Sequence, residues 1–222
     1  MVEADALIVH LNYLQEVVQP EGDLNAAGAE AAIRDLARDL GVPVIAKETG
    51  AGMSRATAER LKRAGVAAFD VGGLSGTTFA AVELVRATKE NATSQMRLGA
   101  LYRDWGIPTP VSVLEAAAAG LPVVGTGGLR SGLDAARALA LGAHLAGMAS
   151  AGLHAADRGE REAVAFFGAV LEELRTACFL TGARRAADLA RRPVVLTGVT
   201  DTWARALGHD VAALARRRAE PF

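Results

Sequence analysis

The chain has 222 residues, 51% of them apolar and 5% aromatic, and its 24 basic and 25 acidic side chains leave a net charge of −1. This length and apolar share suit one globular domain with a large core, and the balanced charge disfavours nucleic acid or an anionic membrane as a partner. No apolar run reaches the ~20 residues of a membrane helix, and the acidic start lacks the basic region of a signal peptide. The single cysteine, Cys178, excludes an internal disulfide. We therefore predict a cytoplasmic protein.

Short apolar segments alternate with segments of helical periodicity along the chain. Strands are predicted at about residues 6–10, 43–47, 67–71, 122–126 and 143–149. Helices are predicted at about residues 28–40, 55–64, 112–119, 131–141 and 158–180, residues 78–91 form a helix or a long loop, and residues 93–106 form a polar segment. Strands that alternate with helices favour a parallel sheet with right-handed crossovers.

The last long helix carries apolar residues at helical spacing. They are Val164, Phe167, Leu171, Leu174 and Cys178. We interpret this stripe as part of the core and not as a cofactor contact.

Polar side chains emerge abruptly where the first strand ends. His10, Asn12, Gln15 and Glu16 follow the apolar run within seven residues. Ligands of parallel α/β folds lie at the carboxyl ends of strands. An imidazole can carry positive charge toward an anion, the amides both donate and accept hydrogen bonds, and a carboxylate can hold Mg²⁺. The block predicts a ligand site.

The same block, His-Leu-Asn-x-Leu-Gln-Glu-x-x-Gln-Pro-Glu-Gly-Asp over residues 10–23, resembles the signature of the type 2 isopentenyl-diphosphate isomerases, which are flavin enzymes. Later segments match in the same order, so the resemblance covers nearly the whole chain, although Tyr13 stands where the family usually has proline. The resemblance implies an α/β fold of the (βα)8 TIM-barrel type. Residues 1–222 would form a single FMN-binding, partial barrel domain that holds about the last five βα units.

In that family the preceding region supplies the first three strands of the barrel. Three explanations stay open: the sequence lacks its N-terminal part, its start was placed late, or another chain completes the barrel. A sheet of five strands is expected to expose two edges.

A glycine pair between the fourth strand and its helix predicts a phosphate site. In Thr126-Gly127-Gly128-Leu129-Arg130 the glycines let the backbone approach an anion, and the following helix adds free N–H groups. The alternative is an ordinary tight turn. The resemblance implies that Gly128, Leu129 and Arg130 contact the FMN phosphate. Ala149 and Ser150 are expected beside them.

Lys47 ends an apolar strand, where burying an unpaired ammonium is costly. It either forms a salt bridge with Glu48 or lies near the flavin N1/C2 carbonyl, where reduced flavin accumulates negative charge. The resemblance implies that Lys47 and Thr77 contact the flavin. Gly72 replaces a serine that the family usually has, which removes one hydroxyl contact.

By the same resemblance, Gln15 binds the substrate, Glu16 binds the Mg²⁺ that bridges its diphosphate, and His10 and Asn12 line the catalytic pocket. Trp105 either covers this pocket or lies in the core. His144, His154 and His209 are expected to be structural or exposed.

The resemblance implies an isomerase that interconverts isopentenyl and dimethylallyl diphosphate in isoprenoid biosynthesis. Reduced FMN would act as the acid/base group, with NADPH or NADH as the reductant, and the protein would form a homo-oligomer, a tetramer or larger. One alternative is another FMN barrel of the 2-hydroxy-acid oxidase type, which needs a His–Arg pair that the sequence does not suggest. The other is a truncated, non-catalytic chain.

Overall fold

The computed structural model describes residues 3–218, which form one parallel sheet covered by helices. The strands lie in the order in which they occur in the chain: β1 (Leu7–Leu11), β2 (Val44–Glu48), β3 (Ala68–Asp70), β4 (Val123–Gly125) and β5 (Leu145–Ala146). The helices are α1 (Tyr13–Val18), α2 (Ala29–Asp39), α3 (Arg55–Arg63), α4 (Phe79–Glu90), α5 (Thr93–Tyr102), α6 (Thr109–Ala118), α7 (Gly132–Ala140), α8 (Ser150–Ala156), α9 (Glu160–Thr181), α10 (Gly198–Ala206) and α11 (Val211–Ala215), and a 3-10 turn spans Ala186–Arg191.

All four strand pairings are parallel, which confirms the predicted fold class. The register sets His10 beside Lys47 and Lys47 beside Asp70. Because side chains alternate along a strand, residues paired across strands point to the same face. Because all five strands run in the same direction, the loops that follow them lie at one rim of the sheet.

One face of the sheet is covered by helices and the other is open. Val44, Ala46, Phe69 and Val123 share the covered face, and each exposes 2% or less of its surface. On the opposite face, Ile8 is 54% exposed and Leu145 is 65% exposed. Among residues 3–218 no strand pairs with the outer edges of β1 and β5. The exposure of two edges matches the expectation for five units of a larger barrel.

The helix starts follow local hydrogen-bonding rules. The Ser54 hydroxyl accepts from the Thr57 amide and caps α3, and the Ser131 hydroxyl accepts from the Asp134 amide at 3.1 Å and caps α7. The Asp134 carboxylate itself accepts from the Arg130 amide at 3.1 Å.

The interpretation of the α9 stripe as core is wrong for three of its five residues. Val164, Phe167 and Leu171 are 66%, 45% and 51% exposed. The helix turns a neighbouring face toward α7, so Leu174 and Cys178 pack in a small cluster. An apolar stripe identifies a helix face, but it does not say which of two apolar faces the fold covers. Within residues 3–218 no helix, α9 included, combines the length and apolarity needed to span a membrane.

Gly72 brings the loops after β2 and β3 into direct contact. Its backbone has a φ of +43°, and a Cβ at this position would lie 1.8 Å from the Glu48 carbonyl oxygen. Its own carbonyl accepts from the Gly50 amide at 2.6 Å. A side chain at position 72 would therefore force two loops of the rim apart.

We predict that Gly72→Ser lowers the free energy of unfolding by at least ~2 kcal/mol, because it combines backbone strain with a steric overlap. Chemical denaturation measures this change. The control is Gly41→Ser, since nothing lies within 4 Å of a Cβ at Gly41, and we expect it to stay close to the wild type. A Gly72→Ser protein as stable as the control would contradict the described loop contact.

Candidate active site

Three neighbouring strands contribute a chain of polar contacts at the rim. The Lys47 Nζ lies 2.9 Å from Asp70 Oδ2, and the Thr126 hydroxyl donates to Asp70 Oδ1. Thr126 also accepts from the Gly72 amide at 3.0 Å. The Lys47 side chain stays 29% exposed. The ammonium is therefore paired and held, yet still within reach of a ligand.

Asp70 is the partner that the sequence reasoning missed. It is the last residue of β3, Lys47 is the last but one of β2, and the register places them side by side. Two polar residues that end adjacent strands at equivalent positions would have been the signal for this pair.

Glu48 does not form the salt bridge with Lys47 that was one of the two alternatives for that lysine. Its carboxylate Oε2 accepts from the amides of Ala51 at 2.8 Å and Gly52 at 3.0 Å, and Lys47 reaches only its backbone carbonyl, at 3.4 Å. Strand alternation separates the two side chains. Burial raises the pKa of Glu48 to about 7, against the lowering effect of these amides and of Lys47.

Asn12 organises the polar block after β1. It is 8% exposed, its Nδ2 donates to the Thr49 carbonyl at 2.8 Å, and its Oδ1 accepts from the Gln15 amide at 3.1 Å, which caps α1. The Gln15 Nε2 donates to Glu83 Oε1 at 3.3 Å. Asn12 and Gln15 therefore belong to the rim that holds Lys47, but Glu83, on α4, was given no role from the sequence.

His10 lies beside Lys47 in the register and meets the Phe79 ring edge-on at a centroid distance of 6.1 Å. Burial lowers the pKa of His10, and the nearby Lys47 charge lowers it further, while Glu16 opposes both. This shift favours the neutral ring, so His10 suits a hydrogen-bonding role better than the cationic role that the sequence suggested.

The residues after Glu16 fold back onto it. Its Oε2 accepts from Gln19 Nε2 at 3.0 Å and from the Asp23 amide at 2.9 Å. A Cβ on Gly22 would lie 1.9 Å from the Glu16 carbonyl oxygen, so the turn requires glycine. Within residues 3–218, Glu16 Oε1 has no hydrogen-bond partner, and no group of three or more His, Cys, Asp or Glu side chains could hold a metal.

The glycine pair packs tightly against the loop after β3. Gly127 and Gly128 have φ values of 106° and 83°, and a Cβ on Gly128 would lie 2.0 Å from the Ser75 carbonyl oxygen. The Thr109 hydroxyl donates to the Gly127 carbonyl at 2.7 Å. These contacts fix the course of the turn.

The groups that the turn leaves unpaired suit an anion. The amides of Gly128 and Leu129 donate to no residue that the structure describes, and the exposed Arg130 side chain has no acidic partner there. The Leu129 side chain is 7% exposed and belongs to the core, so only its backbone is available for a ligand. Unpaired amides before a helix together with a guanidinium are a common phosphate site.

The remaining predicted site residues lie in the neighbouring loops. Thr77 is exposed in the loop between β3 and α4, and Ala149 and Ser150 are exposed where α8 begins. A Cβ on Gly147 would lie 2.6 Å from Thr126 Cγ2, so the loop after β5 passes next to the Asp70–Thr126 contact.

A cleft of about 650 Å³ lies behind the glycine pair. Its walls include Thr109, Gly127, α7 and residues 193–197, and neither Lys47 nor Gln15 lines it. Most of this cleft lies in the helix layer, but Gly128 and Leu129 also line it, so it adjoins the rim at the glycine turn. Trp105 is 64% exposed and meets the Tyr102 ring edge-on at 5.9 Å, so it is not a core indole.

A parallel sheet with helices on one face and polar groups at its carboxyl rim is typical of α/β proteins of the barrel class. The model of the FMN-dependent dehydrogenase family matches residues 15–196, and the chain belongs to this family.

Among curated proteins, the chain is similar to isopentenyl-diphosphate delta-isomerases of archaea. It is 44% identical over 218 residues to that of Methanothermobacter thermautotrophicus, covering 98% of this chain and 61% of the relative. It is 47% identical over 206 residues to that of Archaeoglobus fulgidus, covering 91% and 58%. The chain therefore spans about three fifths of the relatives that it matches.

Solved structures share the fold at lower identity. A GMP reductase from Trypanosoma brucei matches with a TM-score of 0.59 and 22% identity, over 88% of this chain and 41% of that protein. A lactate oxidase from Pediococcus acidilactici matches with a TM-score of 0.56 and 19% identity, over 78% and 41%. At this identity the likeness supports the fold alone.

We predict that Glu48→Gln changes how stability depends on pH. A carboxyl group whose pKa is raised from 4.5 to about 7 in the folded state contributes stability below pH 4.5, and this contribution is lost as the pH rises through about 7. The glutamine of this variant cannot ionise but can still accept from the two amides. Relative to the wild type, the variant should gain roughly 2 kcal/mol of unfolding free energy between pH 4.5 and pH 8.

Urea denaturation at both pH values measures this difference. The matched control is Glu59→Gln on the exposed face of α3, which should follow the wild type at both. If Glu48→Gln also follows the wild type at both pH values, the burial assigned to Glu48 is wrong.

Proposed function

We propose that the chain carries the flavin-binding rim of an isomerase that interconverts isopentenyl and dimethylallyl diphosphate with reduced FMN and Mg²⁺. The observation that carries the proposal is the shared rim. Gln15 and Glu16 follow β1, Lys47 lies near the end of β2, and the turn that includes Gly128 and Arg130 follows β4 of the same parallel sheet. The isomerase relatives support the choice of reaction.

The residues at the rim fit FMN. The unpaired amides of Gly128 and Leu129 and the Arg130 guanidinium would hold its phosphate, with Ala149 and Ser150 beside it, while Lys47 and Thr77 would contact the flavin ring. Asp70 fixes the Lys47 ammonium at 2.9 Å, which orients a positive charge for an electron-rich ring. When bound and reduced, FMN supplies the acid/base group of the reaction.

The block after β1 fits a diphosphate with Mg²⁺. Mg²⁺ keeps several waters and takes phosphate oxygens, so one carboxylate of the protein is enough to anchor it. Glu16 offers Oε1 for this purpose, because the surrounding loop already binds Oε2. His10 and Asn12 would line the pocket, and Gln15 would contact the substrate.

The reaction makes clear demands on these side chains. Moving a double bond adds a proton at one carbon and removes one from another, and an olefin is a poor base. The substrate must therefore be held in one orientation, which an anchored diphosphate provides. An amide is a poor acid or base, so Gln15 acts mainly by positioning the substrate.

The wider proposal follows the family resemblance. It includes a single FMN-binding domain, NADPH as the reductant that keeps FMN reduced, a cytoplasmic location, and a homo-oligomer of four or more copies that takes a small diphosphate as its substrate.

The oxidase alternative has no support at the rim. Arg55 and His209 do contact each other, with Arg55 Nη2 at 3.4 Å from His209 Nε2, but both also bind the buried Glu115 carboxylate in the helix layer. The Glu115 carboxylate thus already pairs with both side chains, and the three residues lie in the helix layer and not beside Lys47.

Purified protein that contains flavin and converts isopentenyl diphosphate would support the isomerase. Flavin-containing protein that oxidises lactate instead, or protein that binds no flavin, would contradict it.

We predict that Glu16→Gln abolishes Mg²⁺-dependent turnover of isopentenyl diphosphate and leaves FMN bound, since Glu16 would hold the metal and not the flavin. Product analysis and the flavin absorption of the purified protein measure the two effects. Glu3→Gln, an exposed change before β1, serves as the control with unchanged turnover. Loss of flavin from the Glu16 variant would show that the residue has a different role.

We predict that Arg130→Ala weakens FMN binding by about tenfold to a hundredfold, because a charge-assisted phosphate contact contributes about 1.5–3 kcal/mol. Titration of FMN followed by fluorescence gives the dissociation constant. Arg161→Ala, at an exposed position of α9, controls for loss of positive charge. Equal affinities in the two variants would remove Arg130 from the phosphate site.

A further inference from the structure

Glu83 is a buried carboxylate that the proposed chemistry leaves unexplained. It lies on α4 with 2% of its side chain exposed. A carboxylate in such a place is destabilising unless its charge and lone pairs are met. Arg86, one turn further along α4, supplies the charge, with Nη1 at 2.9 Å from Oε2 and 3.2 Å from Oε1.

The second partner of Glu83 comes from the polar block after β1. The Gln15 Nε2 donates to Glu83 Oε1 at 3.3 Å, across 68 positions of sequence. Arg86 extends the connection, since its Nη2 lies 3.0 Å from Glu21 Oε1. Helix α4 thus binds the segment that contains Glu16 at two points, one on each side of it.

These contacts decide which end of the Gln15 amide faces which neighbour. An ionised carboxylate only accepts hydrogen bonds, so the amide nitrogen and not the oxygen must face Glu83. The Gln15 Oε1 then accepts from Asn12 Nδ2 at 3.4 Å, and Asn12 is itself held by the Thr49 carbonyl. Without Glu83, the long 3.4 Å bond from Asn12 would be the one side-chain contact among residues 3–218 that opposes rotation of the amide by half a turn.

We propose that Glu83 is a positioning residue that fixes the donor and acceptor ends of the Gln15 amide at the rim. The proposal rests on the proposed function for its catalytic consequence, because Gln15 is the residue that would contact the diphosphate substrate. The orientation itself does not depend on that function. A ligand at the rim meets one defined arrangement of amide oxygen and nitrogen, and α4, outside the rim, maintains it.

The first test observes the amide directly. In ¹⁵N-labelled protein, the side-chain NH₂ signals of Gln15, assigned by their loss in Gln15→Leu, should show one proton protected from exchange with solvent. Glu83→Gln keeps the size of the side chain but can present either end to Gln15, so we expect this protection to be lost. Glu21→Gln, which removes only the outer partner of Arg86, should retain it.

The second test measures turnover. Glu83→Gln should lower kcat by about tenfold or more through misorientation of Gln15, with KM for isopentenyl diphosphate changed less than about threefold. Glu21→Gln and Glu90→Gln, at the exposed end of α4, should keep the wild-type kcat. A merely structural role for Glu83 would instead lower the amount of folded protein, which circular dichroism detects, and leave kcat per folded molecule unchanged.

The two tests separate failure of the positioning role from failure of the isomerase proposal. Wild-type protein with no turnover but a protected Gln15 amide that Glu83→Gln releases would contradict the reaction and support the positioning role. Folded Glu83→Gln protein with an unchanged Gln15 signal would overturn the positioning role, whatever the turnover.

Discussion

The in-register pairing of the parallel strands is the constraint on which the rest of the molecule depends. It places Lys47 beside Asp70, so that the two side chains form an ion pair. A shift of one residue in β2 or β3 would turn one of these side chains to the helix-covered face. The pair would then be broken, and a charge would enter the core at considerable cost. The same register sets His10 beside Lys47 and brings Thr126 to the second oxygen of Asp70. The sheet itself therefore positions the polar groups of its strands at the rim.

Glycines let the loops of the rim approach one another closely. Gly72 lies against the carbonyl of Glu48, and Gly128 lies against the carbonyl of Ser75. Both close approaches leave no room for a side chain. The result is a set of loops whose backbones touch and whose remaining amides, at Gly128 and Leu129, stay available to a ligand. One face of the sheet is covered by helices and the other is open, as the outside and inside of a barrel differ. The matched relatives are longer than this chain, which spans 61% of the Methanothermobacter protein. The activity proposed above concerns the rim of a barrel to which this sheet contributes five strands.

Much of the fold could be predicted because strands and helices alternate with clear apolar periodicity. The positions of β1 to β4 agree with the sequence to within one or two residues, and Ser54 and Ser131 cap the helices that were predicted to follow them. The exposed stripe of α9 could not be predicted, because periodicity defines a face but not the neighbour that covers it. The partners of the motif residues could not be predicted either. Asp70 and Glu83 carry no recognisable motif, and their importance comes from contacts across 23 and 68 positions. Local pattern thus identifies the candidate ligand-binding groups, whereas the structure identifies the residues that hold them.

The absorption spectrum of protein-bound FMN during titration with isopentenyl diphosphate and Mg²⁺ tests whether flavin and diphosphate share one pocket. A shared pocket predicts a saturable change in the flavin spectrum, which requires Mg²⁺ and disappears in Glu16→Gln. Diphosphate binding by calorimetry without any change in the spectrum of the bound flavin would place the two ligands in separate sites. Either that result or a protein that does not bind FMN would contradict the account.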